Sequence, residues 1–75
     1  VELTEQGKNM FRVIYFDRPV PVRTEGNLYW FSGSVMQIRN YFSRFGKEAV
    51  IIEPVFLKKQ LYTYYEEALN AYRED

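Results

Sequence analysis

An α+β domain is the fold class predicted by the sequence, and three observations predict it. Strand-like and helix-like hydrophobic patterns follow one another as strand, helix, strand, strand, helix, strand, helix. Turn and cap residues stand at the junctions, notably Glu25-Gly26-Asn27, Ser34, Gly46 and Pro54. Pro19 and Pro21 fall where the second strand is expected, and two residues without an N–H confine that strand to a sheet edge.

Taken in order, Val1-Glu2-Leu3-Thr4 alternates apolar and polar residues, as a short strand does. Thr4-Glu5-Gln6-Gly7 opens a helix that carries Met10, Phe11, Val13, Ile14 and Tyr15. Phe11, Val13 and Tyr15 also alternate as a strand would. Helix is the expectation, because polar residues precede the run and Asp17-Arg18-Pro19 stops it. Val20-Pro21-Val22 is the edge strand, and Glu25-Gly26-Asn27 turns the chain into its partner, Leu28-Tyr29-Trp30-Phe31. That partner is apolar at every position, so the expectation is that both faces are covered, or that a partner covers one face.

Ser34-Val35-Met36-Gln37 fits a capping box, in which the serine hydroxyl accepts a first-turn N–H and the glutamine side chain reaches back. Val35, Ile38, Phe42 and Phe45 then make one helical stripe, and Gly46 suits a left-handed cap. Val50-Ile51-Ile52 is a short strand, and Pro54 suits the first position of a last helix. Leu57, Leu61, Tyr65 (or Tyr64), Ala68 and Tyr72 mark one face of it, to about Arg73. Right-handed crossovers turn this order into a ferredoxin-like βαββαβ sandwich with an additional C-terminal helix, whose second and fourth strands lie at the edges.

The 75 residues suffice for a single domain, 1–75, with a modest core. Without cysteine or histidine, disulfides and Cys/His zinc sites are excluded, and no cofactor or metal is expected. The absence of cysteine fits the cytoplasm. Apolar residues at 47% and aromatics at 19% are too many for a disordered chain. Ten basic residues balance ten acidic ones, which disfavours an autonomous DNA- or RNA-binding module. No apolar run approaches the roughly 18 residues of a membrane span, so no membrane partner is expected. A first residue of Val1 is what a piece of a longer protein would show.

The residues Phe42, Phe45-Gly46, Ala49, Ile51 and Glu53-Pro54, followed by Leu57-Lys58 and Ala71-Tyr72, form a pattern FxxFGxxAxVxEP with a downstream extension. This pattern resembles the WCX module, the C-terminal extension of WYL-domain bacterial transcriptional regulators. The resemblance runs from Leu3 to Tyr72 and takes in Thr4-Glu5-Gln6-Gly7-Lys8. It implies a fragment of a larger DNA-binding regulator, with DNA read only through a separate domain. It further implies a non-enzymatic role in dimerisation and effector response, beside the WYL domain of the same or a second subunit. Departures are a lysine, Lys58, where the family's pattern has arginine, a short first strand that suggests residues lost upstream, and no Trp-Tyr-Leu tripeptide.

Candidate contacts with that partner or with an effector are Trp30, Arg39, Arg44, Lys47 and Lys58. Each has a plainer reading. Trp30, with Tyr29 and Phe31, is core or partner packing before it is a base-stacking platform, since the Gly-aromatic pattern of sheet-type RNA binders is missing. Arg39 sits on a capped helix, and Gly33 to Arg39 does not reproduce the phosphate loop of acylphosphatases, which follows the first strand. Arg44 and Lys47 suit the negative end of a helix dipole. Lys58-Lys59 near the start of the last helix and Glu74-Asp75 at its end oppose the dipole, at small cost when solvated. Tyr62, Tyr64, Tyr65 and Tyr72 outnumber the places on one core stripe, which hints at an interface. The alternative function is an independent ferredoxin-like module that binds a small ligand or single-stranded nucleic acid, and an acylphosphatase-like enzyme comes third.

Overall fold

In the computed structural model, residues 1–73 are described. The chain runs β1 (Glu2–Leu3), α1 (Glu5–Val13), β2 (Pro21–Glu25), β3 (Leu28–Phe31), α2 (Val35–Phe42), a 3-10 turn (Gly46–Glu48), β4 (Ala49–Val50) and α3 (Val55–Ala71). The four strands form one antiparallel sheet in the order β2-β3-β1-β4. A small α+β domain with three helices is thus shown, and β2 and β4 stand at its edges, as the prolines implied for β2.

One face of the sheet carries the core. Leu3, Tyr41, Phe42, Phe45, Ala49, Ile51, Leu57 and Leu61 are buried there. Phe11 of α1 joins this core to the sheet: its ring lies 5.6 Å from Tyr29 and 6.1 Å from Phe31, and stacks on Phe42 of α2 at 6.2 Å. Such aromatic pairs contribute about 0.5–1.5 kcal/mol each beyond the area they bury. The Tyr65 hydroxyl of α3 donates to the Phe42 and Ser43 carbonyls at 3.3 and 3.2 Å, which holds α3 against the end of α2.

Several boundaries differ from the sequence expectation. β2 contains only one proline: Pro19 is buried before the strand, and Pro21 is the strand's first residue, where a missing N–H costs least. The pairing slips between Pro21 and Arg23, so Val22 bulges outward. α2 stops at Phe42, short of Gly46. There the Ser43 hydroxyl bonds the Asn40 carbonyl, and Phe45 N–H closes an i to i+3 turn onto Phe42. That tighter turn swings Phe45 inward, and Gly46 takes its left-handed φ of 58° after the turn. On the expected stripe Phe42 and Phe45 are buried but Val35 is exposed, and Tyr41, which the stripe omitted, is fully buried.

Strand β4 is Ala49–Val50, not Val50 to Ile52, and its two residues pair with Leu3 and Glu2 of β1. Pro54 is the N-cap of α3, one position before the expected one. Leu57 and Leu61 are buried and Tyr65 is half-buried, but Ala68 and Tyr72 on the same predicted face are exposed. At about 1.5 Å per residue α3 is roughly 26 Å long, and its second half, from Glu66 onward, runs past the core. The expectation for Glu74-Asp75 lies outside the described residues.

Thr4 is the hinge between sheet and α1. Its hydroxyl accepts from Gly7 N–H at 3.0 Å as an N-cap and donates to the Glu48 carboxylate at 2.6 Å. Its backbone N–H donates to the Glu48 carbonyl at 3.1 Å. That same carbonyl oxygen lies 2.1 Å from where a β-carbon on Gly7 would stand. Helix propensity alone favours Gly7→Ala by about 1 kcal/mol. The close approach reverses the sign, and a net loss of about 1–3 kcal/mol is expected, read as a lower urea midpoint. An unchanged or higher midpoint would show that the turn can move aside.

Candidate functional site

Successive residues of β3 alternate between the two faces of the sheet. Tyr29 and Phe31 face the core, which leaves Leu28 and Trp30 on the outer face, 36% and 38% exposed. Leu28 pairs with Glu2, and Glu2 with Val50, which is 44% exposed. The outer face is therefore a mixed surface, with apolar residues from β3 and β4 on either side of the exposed Glu2 of β1. Opposite Trp30 in the register stands Arg23, whose guanidinium lies 4.5 Å from the ring centroid. A second contact, to the Glu25 carboxylate at 2.6 Å, fixes that guanidinium in place.

At one end this face opens into a slot of about 400 Å³. Trp30 and Phe31 wall it on one side and Ile52 and Glu53 on the other, with Ile38 and Leu57 beneath. A separate, shallower groove of about 610 Å³ lies between α2 and α3. There Arg39 donates to the Gln60 side chain at 3.3 Å, alongside Lys59, Phe56, Tyr64 and Glu67.

A third arrangement joins α2 to the loop after α1. The Tyr41 hydroxyl donates to the Ile14 carbonyl, Arg44 Nη2 to the Phe16 carbonyl at 3.0 Å, and Gln37 Nε2 to the Asp17 carbonyl at 3.0 Å. Gln37 thus completes only half of the expected capping box: its N–H bonds Ser34 Oγ at 3.2 Å, but its side chain goes to the loop. Arg44 also bonds the Tyr41 carbonyl at 3.2 Å and covers the Tyr41 ring at 4.7 Å. Burial pushes the Tyr41 phenol above its ordinary pKa, while Arg18 and Arg44 act in the opposite direction. The Tyr65 phenol is raised too, again by burial first.

The five residues singled out in the sequence do not converge. Trp30 lines the slot and Arg39 the groove, and neither is lined by Arg44, Lys47 or Lys58. Arg44 spends its donors on two backbone carbonyls of its own chain. Lys47 is exposed on the 3-10 turn and Lys58 on α3. The lysine beside Arg39 is Lys59, which the sequence reading placed only in a charge pair. A helix with two adjacent lysines needs its phase before one can be chosen, and here Leu57 and Leu61 set it. Among the described residues, no group of three or more acidic, histidine or cysteine side chains is placed to hold a metal ion. Nor is any helix among them long and apolar enough to cross a membrane.

No protein-family model matches the sequence, and no curated protein matches it. Among solved structures, the chain is similar to one described as the crystal structure of a CRISPR Cas-related protein, with a TM-score of 0.83 and 35% identity. The likeness covers 95% of this chain and 20% of that one, so the chain spans about a fifth of that protein's length.

Both raised phenols predict an alkaline weakness. Each tyrosine ionises more readily unfolded than folded, so their contribution is intact below pH ~10 and is lost as pH rises beyond it. Tyr41→Phe is expected to cost about 1 kcal/mol at neutral pH through the lost hydrogen bond. It is also expected to flatten the stability loss above pH ~10 relative to the unsubstituted chain. Urea unfolding on both sides of pH 10 checks both outcomes.

Proposed function

We propose that this chain is a non-enzymatic regulatory and interaction domain. In this reading it is the WCX-type C-terminal part of a WYL-type transcriptional regulator and contributes to dimerisation and effector response in the cytoplasm. The ferredoxin-like assignment belongs to the same proposal. It is supported by the strand order β2-β3-β1-β4, the helices after the first and third strands, and α3 as the added element. The likeness to one fifth of a longer protein supports a module within a larger chain, and the parent is proposed to be CRISPR Cas-related as well.

The observation that carries the reading is the uncovered outer sheet face of Leu28, Trp30 and Val50. Exposed apolar side chains on two strands, flanked by Glu2 and Arg23, suit a protein surface better than a reaction. The partner would be the WYL domain of the same or a second subunit. Its mechanism would be differential packing in two states of the parent dimer. DNA would be read elsewhere in the parent.

A second reading is favoured by one feature only. Arg23 over Trp30 on an open sheet is a surface on which a nucleobase could stack. The net charge of zero argues against affinity for a phosphate backbone.

Trp30→Ala in the full-length parent tests the first reading. Buried tryptophan anchors at interfaces typically cost 2 kcal/mol or more on truncation, so dimer affinity is expected to fall by about tenfold or more, with a blunted effector response. Full-length dimers with and without this domain that match in affinity and response would remove the proposal. Salt-sensitive micromolar binding of single-stranded RNA or DNA, lost in Trp30→Ala, would transfer the function to the second reading.

A further inference from the structure

We propose that α3 is a second interaction surface, and that its partner is the α3 of another copy of this chain, packed antiparallel. Leu57, Leu61 and Tyr65 turn one side of the helix to the core. About a quarter turn round from them, Val55, Tyr62 and Leu69 follow at intervals of seven residues, each more than half exposed. Seven residues fall within about 20° of two full turns, so the three make one apolar stripe along the helix. Lys59 and Glu66, also seven apart, run beside that stripe on the flank away from the core.

The charges select the occupant. Positive charge on α3 stands in its first half, at Lys58 and Lys59, and negative charge in its second, at Glu66 and Glu67. This order opposes the helix dipole, so it does not serve the helix by itself. None of the four has an opposite charge three or four residues away on the helix, the spacing at which helical ion pairs form. Nor is any of them in an ion pair among the described residues. A parallel copy would set lysine against lysine and glutamate against glutamate. An antiparallel copy sets each half against its opposite. With the two-fold axis beside Tyr62, Lys59 of each copy meets Glu66 of the other, and Val55 of each lies by Leu69 of the other. The two Tyr62 side chains meet at the axis. Such an isologous contact makes every favourable pair twice.

The arrangement also supplies what the second half of α3 lacks. From Glu66 onward the helix runs past its own core. In the antiparallel pair that half lies on the first half of the other α3, which Leu57 and Leu61 hold to a core. Each copy thus steadies the end that the other leaves bare. The contact is small, since one pair of helices roughly 26 Å long falls below the standard interface of about 1,200 Å² or more. It is therefore weak and concentration-dependent in this chain alone, and it tightens where another surface already holds two copies together. It is separate from the sheet face of Trp30 and does not rest on the regulator reading.

Analytical ultracentrifugation of the 75-residue chain tests this, with a monomer–dimer equilibrium expected between about 10 μM and about 1 mM. Leu69→Arg is expected to weaken the dimer by at least about tenfold. Leu69 is exposed, so the variant keeps its fold, which circular dichroism checks. Lys59→Glu or Glu66→Lys alone is expected to weaken it by about tenfold, because both reciprocal pairs turn repulsive at once. Lys59→Glu combined with Glu66→Lys is expected to restore it. Trp30→Ala is expected to leave this dimer unchanged, which keeps the outcome apart from that of the sheet-face reading. A chain that stays monomeric at about 1 mM would overturn the proposal. So would a dimer that Leu69→Arg leaves intact, or a double charge exchange that restores nothing. A dimer lost only in Trp30→Ala would give the second copy to the sheet face instead.

Discussion

The carbonyl oxygen of Glu48 occupies the place of a side chain on Gly7, and much of the fold is arranged around that contact. It lets α1 lie directly on the 3-10 turn, and it accepts the Thr4 N–H that ends β1. Thr4 in turn caps α1 and bonds the Glu48 carboxylate. One residue therefore holds the end of the inner strand, the start of the first helix and the entry to β4. With those three fixed, Leu3 must face Ala49, and the small side chain there leaves room for the buried Leu3.

The second consequence concerns the loop after α1. Its backbone leaves helical geometry at Ile14, and Asp17 sits at a positive φ of 61°. Carbonyls in such a segment have no ladder to join, and each needs a donor. Helix α2 supplies them from Gln37 and Tyr41, and the turn that follows it from Arg44. The Arg18 guanidinium adds bonds to the Phe11 and Arg12 carbonyls at the end of α1. Positive charge in this half of the molecule is largely committed to backbone carbonyls. An arginine that looks available for an anion in the sequence is here a fastening for the loop.

Local signals in the sequence were sufficient for local features. The Ser34 cap, the Gly26 turn, the left-handed Gly46 and the edge position of the proline-bearing strand each depend on a few neighbouring residues. Strand length was not legible in the same way, because it depends on pairing across the sheet: Ile51 and Ile52 have strand-like character, yet the pairing with β1 takes in Ala49 and Val50. Gly7 carried no local sign of its role, since the atom it accommodates comes from Glu48, far along the chain. Of the candidate site, Trp30 was singled out as a contact, but the all-apolar strand pointed to cover on both faces, and Trp30 is exposed. The bond of Arg39 to Gln60, with Lys59 in the same groove, could not be inferred, because it depends on how two helices meet.

Two apolar surfaces remain open, and they differ in stiffness. Trp30 is held by strand pairing with Arg23 of β2 and by the Arg23 guanidinium, which also bonds Glu25. A partner that covers this face orders almost nothing new, so little conformational entropy opposes the contact. The second half of α3 carries Leu69 and Tyr72 into solvent with no tertiary support. Helices shorter than about 12–15 residues are marginal by themselves, so this half persists only as an extension of the turns that Leu57 and Leu61 anchor. A contact made there must also pay for holding the helix, and its strength would change with anything that loosens those turns. The sheet face is thus the surface suited to constant attachment, and the end of α3 the one suited to a contact that can be made and released.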